Sequence, residues 1–158
     1  MLPPIAEVVP HAPPMLLLDE VLSWAPGRAR CGLTLRPDSP FVQAGRVRAV
    51  VALEYMGQAM AALAGLEARA AGQPPRVGLL LGTRELALSV GHLAVGDALE
   101  VDVERLHEDG NAAQFRGTVL RTGAVVATAV LSVYLPDAPA GTGGVAPLPG
   151  ADGGESPA

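Results

Sequence analysis

Residues 49–71 constrain this chain more than any other stretch. Leu53, Met56, Met60, Leu63 and Leu66 recur at spacings of three and four among many alanines and few β-branched residues, the pattern of a long helix. Its first four turns carry a single charged residue, Glu54. A helix apolar on nearly every side cannot lie on a surface; other elements must enclose it. Gly72, followed by Pro74-Pro75, ends it.

The enclosing material reads as strands. Residues 15–24 form an apolar run ending at Pro26-Gly27, and an alternating run over 28–36 follows at once, which predicts a strand pair with a tight turn. Three further strand-like segments are expected after the helix, set off by residues 91–97, by Asp109-Gly110-Asn111 and by Thr122-Gly123. Leu99, Val101 and Val103 alternate with Glu100, Asp102 and Glu104, so one face of this sheet meets water. Over residues 125–135 both alternating sets are apolar, which predicts a last strand covered on both faces. The expected class is α+β: a single domain in which a curved antiparallel sheet wraps one long central helix.

Composition removes several classes of function. Among 158 residues every basic side chain is Arg, so Schiff-base and P-loop lysine chemistry is excluded. A net charge of −5 gives no electrostatic reason to approach nucleic acid. The first basic residue is Arg28, so the amino terminus lacks the positive region of a secretory signal. The longest uncharged apolar-leaning run, 122–135, falls short of the ~20 residues a spanning helix needs. Cys31 is alone and sits among Ala29, Leu33 and Leu35, the setting of a buried structural thiol. No membrane span and a cytoplasmic location are the expectations. Residues 1–136 read as the domain and residues 137–158 as a disordered tail, because glycine and proline fill 11 of the 23 positions from Pro136 onward. Within it, residues 141–146 match the dinucleotide fingerprint loosely, but Pro147 and Pro149 forbid the helix that must follow.

Chemistry must come from few groups. Glu54 and Gln58 lie one turn apart, and Ala61, Ala62 and Gly65 continue that stripe as small apolar residues rather than solvated ones. This favours a carboxylate in a pocket over one on a wet face. His11 is held among prolines, whereas His92 and His107 sit at strand ends beside turn residues. No histidine pair has zinc-like spacing, and no Gly-x-Ser-x-Gly elbow occurs.

Three blocks stand in order: Pro10-His11-Ala12-Pro13-Pro14-Met15-Leu16-Leu17-Leu18-Asp19, then Leu53-Glu54-Tyr55-Met56-Gly57-Gln58-Ala59-Met60, then Gly78-Leu79-Leu80-Leu81-Gly82-Thr83-Arg84. Together they resemble the hotdog-fold β-hydroxyacyl-[acyl-carrier-protein] dehydratases, and more narrowly the small dehydratase-like proteins of aryl-polyene-type fatty acid pathways. The resemblance spans residues 4–136. It implies a hotdog domain paired with a second hotdog protein, as homodimer or heterodimer, and a lyase that removes water from a 3-hydroxyacyl thioester on acyl carrier protein to leave the trans-2-enoyl thioester. By the same resemblance Glu54 is the helix-borne acid, with Gln58, Arg84 and Gly82 as substrate-binding candidates. The acyl chain would hang from a phosphopantetheine arm, with no bound cofactor and no metal. Arg46, Arg48, Arg76 and Arg84 are candidates for the arm's phosphate or the acidic carrier.

One departure stands out. The wider family carries a His-Phe-Pro-Gly stretch before the helix, and its histidine is the usual base; here that region reads Pro40-Phe41-Val42-Gln43-Ala44-Gly45-Arg46. Either His11 takes the role beside Glu54, or a partner subunit supplies a histidine, or the chain is a non-catalytic subunit of an active dehydratase. A hotdog thioesterase, which needs only one carboxylate and a polarised carbonyl, is the remaining alternative.

Overall fold

The computed structural model describes residues 1–137. The tail from residue 138 on, with the glycine-rich 141–146 stretch, lies outside the described residues. Strands β1 (Glu20–Ala25) and β2 (Arg28–Thr34) form the expected hairpin, and a short β3 (Arg46–Arg48) precedes helix α1 (Ala52–Ala70). Then come β4 (Leu79–Leu88), a short β5 (His92–Ala94), β6 (Ala98–Asp109), β7 (Ala112–Arg121) and β8 (Ala124–Tyr134). The main sheet runs β1-β2-β6-β7-β8-β4 with every pairing antiparallel, while β3 and β5 make a separate two-stranded ribbon. Four long strands therefore follow the helix rather than three. The additional one, β4, is bulged between Leu80 and Gly82 and again between Arg84 and Ala87, with Glu85 at φ 53°, so its side chains do not alternate.

Helix α1 lies in the curve of this sheet, against β6, β2, β7 and β1. Tyr55, Met56, Ala59, Ala62 and Leu63 are buried against Val101, Val103, Val119 and Leu131 in one continuous core. Residues 49–70 are long and apolar enough to cross a bilayer, but most of that surface is buried inside the sheet, the position of a core helix. Gly72, at φ 65°, turns the chain out of the helix as its sequence position predicted.

Period-two reasoning holds well in β2 and β6. Ala29, Cys31, Leu33, Leu99, Val101 and Val103 are all buried, and burial pushes the Cys31 thiol up to about 12, which leaves it inert at neutral pH. Asp102, on the outer face, survives near-burial because Arg28 and Arg30 both bond to it. The last strand corrects the expectation of two covered faces. A bulge opposite Val119 and Leu120 turns both Val126 and Ala127 inward, leaving Val125 half exposed and Tyr134 in solvent.

The amino-terminal residues 5–18 form a strap over the helix that no periodicity announces. Ile5, Val8 and Val9 are buried, and Val8 passes so close to Gly65 that a Cβ there would sit 2.0 Å from its carbonyl oxygen. Gly65 is thus small to let backbone approach backbone.

Candidate active site

The strap carries His11 to the start of α1. Its Nε2 stands 3.9 Å from Oε1 of Glu54, and its Nδ1 is buried with no hydrogen-bond partner among the described residues. Glu54 is half-buried at the mouth of a cavity.

Gln58 builds this arrangement. Fully buried, it accepts a hydrogen bond from the Leu17 backbone N–H at 2.9 Å, and its Nε2 donates both to the Met15 carbonyl at 2.7 Å and to Glu54 Oε1 at 2.9 Å. One amide side chain therefore fixes the strap against the helix and aims the carboxylate. Every polar atom of this buried amide is engaged, so its orientation is determined rather than chosen among rotamers.

The cavity beyond Glu54 measures about 240 Å³. Glu54, Gly57, Ala61 and Ala64 form its helix wall, Phe115 and Val133 its sheet wall, and the chain from Arg76 to Leu80 closes a side. The sequence stripe thus divides by function. Gly57, Ala61 and Ala64 leave room for a ligand, whereas Gln58, Ala62 and Gly65 are packed. A narrow apolar slot with one carboxylate and one imidazole at its mouth can hold an alkyl chain and move a proton at its near end.

Other expected positions fall elsewhere. Gln58 does not line the cavity; it positions Glu54. Gly82 and Arg84 are exposed on edge strand β4 and do not line the cavity within this chain. Arg76 does reach the cavity, where its guanidinium also donates to the Leu135 and Pro136 carbonyls. The pre-helix residues 40–48 contribute nothing to the cavity lining. His92 and His107 are exposed and do not line it.

Phe115 and Arg105 are among the lining residues that the sequence did not single out. Arg105 had a usable signal: Leu99, Val101 and Val103 face inward, and the same alternation puts residue 105 on the inner face.

A family model for ApeP-like dehydratases, described as ApeP dehydratase, matches residues 3–142. The chain belongs to the ApeP-like dehydratase family. A relative from Anaeromyxobacter sp. (strain K), 3-hydroxyacyl-[acyl-carrier-protein] dehydratase FabZ, is 32% identical over 142 residues, covering 84% of this chain and 88% of that protein. Among solved structures, the dehydratase heterocomplex ApeI:P from Xenorhabdus doucetiae superposes with a TM-score of 0.82 at 27% identity, over 87% of this chain and 93% of that one. A hypothetical thioesterase protein with coenzyme A from Streptococcus pneumoniae TIGR4 matches at a TM-score of 0.58 and 13% identity, over 74% of this chain and 84% of that one, and shares the fold alone. This ApeP-like chain is therefore a hotdog-fold, dehydratase-like protein, as its three sequence blocks implied.

Proposed function

We propose that this ApeP-like chain removes water from a 3-hydroxyacyl thioester carried on acyl carrier protein, giving the trans-2-enoyl thioester for fatty acid or polyene synthesis in the cytoplasm. The reading rests chiefly on one observation: a carboxylate aimed by a buried amide stands 3.9 Å from the only imidazole at an apolar cavity. Between them Glu54 and His11 need hold one exchangeable proton. One takes the proton from the carbon next to the thioester carbonyl while the other hands a proton to the departing hydroxyl, and the short gap lets the proton return between turnovers. The phosphopantetheine arm supplies the thioester, so the chain itself needs no resident cofactor.

The site works as half of a pair. Strand β4 ends the main sheet, its far edge is unpaired among the described residues, and Val77, Leu79, Leu80 and Leu81 are all at least half exposed. Such an apolar edge is a pairing surface. The ApeI:P heterocomplex favours a different hotdog chain over a second copy, and such a partner could bring the histidine that residues 40–48 lack.

The test is dehydration of a 3-hydroxyacyl-carrier-protein by the chain alone and mixed with hotdog proteins encoded beside it, with and without Glu54→Gln. Enoyl product that disappears with the substitution supports the reading. Turnover unaffected by Glu54→Gln refutes it, activity only in the mixture establishes the partner, and release of free thiol without enoyl product marks a thioesterase instead.

A further inference from the structure

The cavity has a defined far end, formed by Arg105 with Glu67 behind it. Its helix wall runs from Glu54 through Gly57 and Ala61 to Ala64, about 15 Å along the axis. No helix residue beyond Ala64 lines it. Opposite that end stands Arg105, which continues the inward set of Leu99, Val101 and Val103 and so takes a position that alternation reserves for an apolar side chain.

Glu67, on the turn after Ala64, holds this arginine in place. Arg105 Nη1 and Nη2 donate to Glu67 Oε1 and Oε2 at 3.1 and 2.5 Å, and Glu67 Oε1 also accepts the Gly27 backbone N–H at 2.8 Å. The guanidinium lies 5.5 Å from the centre of the Phe115 ring, itself part of the cavity wall. Nε is buried and has no hydrogen-bond partner among the described residues; the Glu108 carboxylate is 3.7 Å away. Helix, sheet, hairpin turn and aromatic wall therefore all fix one planar cation across the slot.

We propose that Arg105, braced by Glu67, is the floor of the acyl cavity and sets the longest chain the site accepts. This rests on the reading of the cavity as an acyl site. A methylene that enters the slot leaves water for apolar walls and gains affinity, about fourfold for each. A methylene that reaches Arg105 must displace a guanidinium whose two-point pairing with Glu67 does not yield, or strip its remaining solvation for nothing in return. Affinity should therefore climb with chain length and then stop. A volume of about 240 Å³, below the roughly 300–1,000 Å³ of ordinary small-molecule sites, fits a slot closed early.

Saturated acyl-pantetheine thioesters from butanoyl to hexadecanoyl, titrated calorimetrically against the full chain with its hotdog partner, read the floor without any turnover. For the wild type the expected profile rises about fourfold per methylene and then levels or falls. In Arg105→Leu the break moves to longer chains, so that a probe two methylenes past the wild-type limit binds on the order of tenfold tighter. Because Arg105→Leu alone strands Glu67, the double variant Arg105→Leu/Glu67→Gln, which keeps an acceptor for Gly27, is measured beside it and should show the same shift. A break that stays in place in a folded double variant overturns the proposal, and so does a wild-type profile that climbs without limit or shows no binding. Dehydration assayed in parallel separates the two ideas: turnover with an unmoved break refutes only the floor, and a moved break without turnover refutes only the dehydratase reading.

Discussion

Glu54 and Glu67 stand on one helix, about 20 Å apart along its axis, the first lining the cavity and the second behind the Arg105 that closes it. Their partners differ in kind. Glu67 is locked: burial works against its charge, but the Arg105 hydrogen bonds, the Gly27 amide and the Arg105 cation outweigh that and hold its carboxyl below the ordinary range. Glu54 has no guanidinium; it is steadied by the neutral amide of Gln58 and faces an imidazole that can gain or lose a proton. An ion pair fixes a carboxylate's charge and makes it architecture. An amide fixes only its direction and leaves the proton free to move, which is the condition for acid–base work. The contrast assigns chemistry to the helix start and shape to its end.

The sharpest way to break this contrast is to neutralise each carboxylate in turn. Glu54→Gln should lower kcat by about 10²–10⁴-fold, the usual worth of a positioned acid or base, with the thermal midpoint little changed because Gln58 keeps a partner. Glu67→Gln should leave kcat on a short acyl substrate within about threefold, since it touches no reacting atom. Comparable kcat losses from both would remove the distinction.

Gln58 is the next lever. Gln58→Leu strands the Leu17 N–H and the Met15 carbonyl and releases Glu54, so it should cost about 1–3 kcal/mol of unfolding free energy in urea. Activity should fall with it, because the same amide holds both the strap that carries His11 and the carboxylate. A stable but inactive variant would assign Gln58 to catalysis alone, and an active but unstable one to the strap alone.

Gly65→Ala probes the strap without touching either carboxylate. Its new Cβ meets the Val8 carbonyl oxygen at 2.0 Å, a backbone atom that can retreat only by lifting the strap. About 1–3 kcal/mol of destabilisation follows from such overpacking, with a partial loss of kcat as His11 shifts. Unchanged activity would show that His11 does not depend on the strap's seat.

These positions also show what the sequence made legible. The helix, the β1–β2 hairpin and the buried set in β2 and β6 followed from periodicity, because burial alone decides those residues. Glu54 stood out as the one charge in the first four turns of an apolar helix, and His11 by elimination among three histidines. The strap did not, since a single glutamine seats it through two hydrogen bonds to its backbone, and a hydrogen bond to backbone leaves no pattern in side-chain hydropathy. Where Arg84 and Gly82 point was not legible for a related reason. The β4 bulges break the alternation that would have told which way they point. Arg105 was legible by parity but reads as an ordinary surface arginine until Glu67, 38 positions earlier, is known to meet it.

The smallest expected effect tests the locked end directly. The Glu67 carboxyl titrates near about 4.3 in an unfolded chain and is held lower in the fold. A depressed folded value means that stabilisation is complete above the unfolded value and is lost as pH falls through the folded one. Glu67→Gln lacks this term, so the stability gap between wild type and variant should be constant near neutrality and narrow as urea midpoints are followed from about pH 5 down to about pH 3. With both partners partly open to solvent the narrowing is modest. A gap that instead widens toward acid would mean that Glu67 folds protonated. Arg105 would then keep only Glu108, 3.7 Å from its Nε, as a charged partner among the described residues, and Glu67 could no longer be called locked.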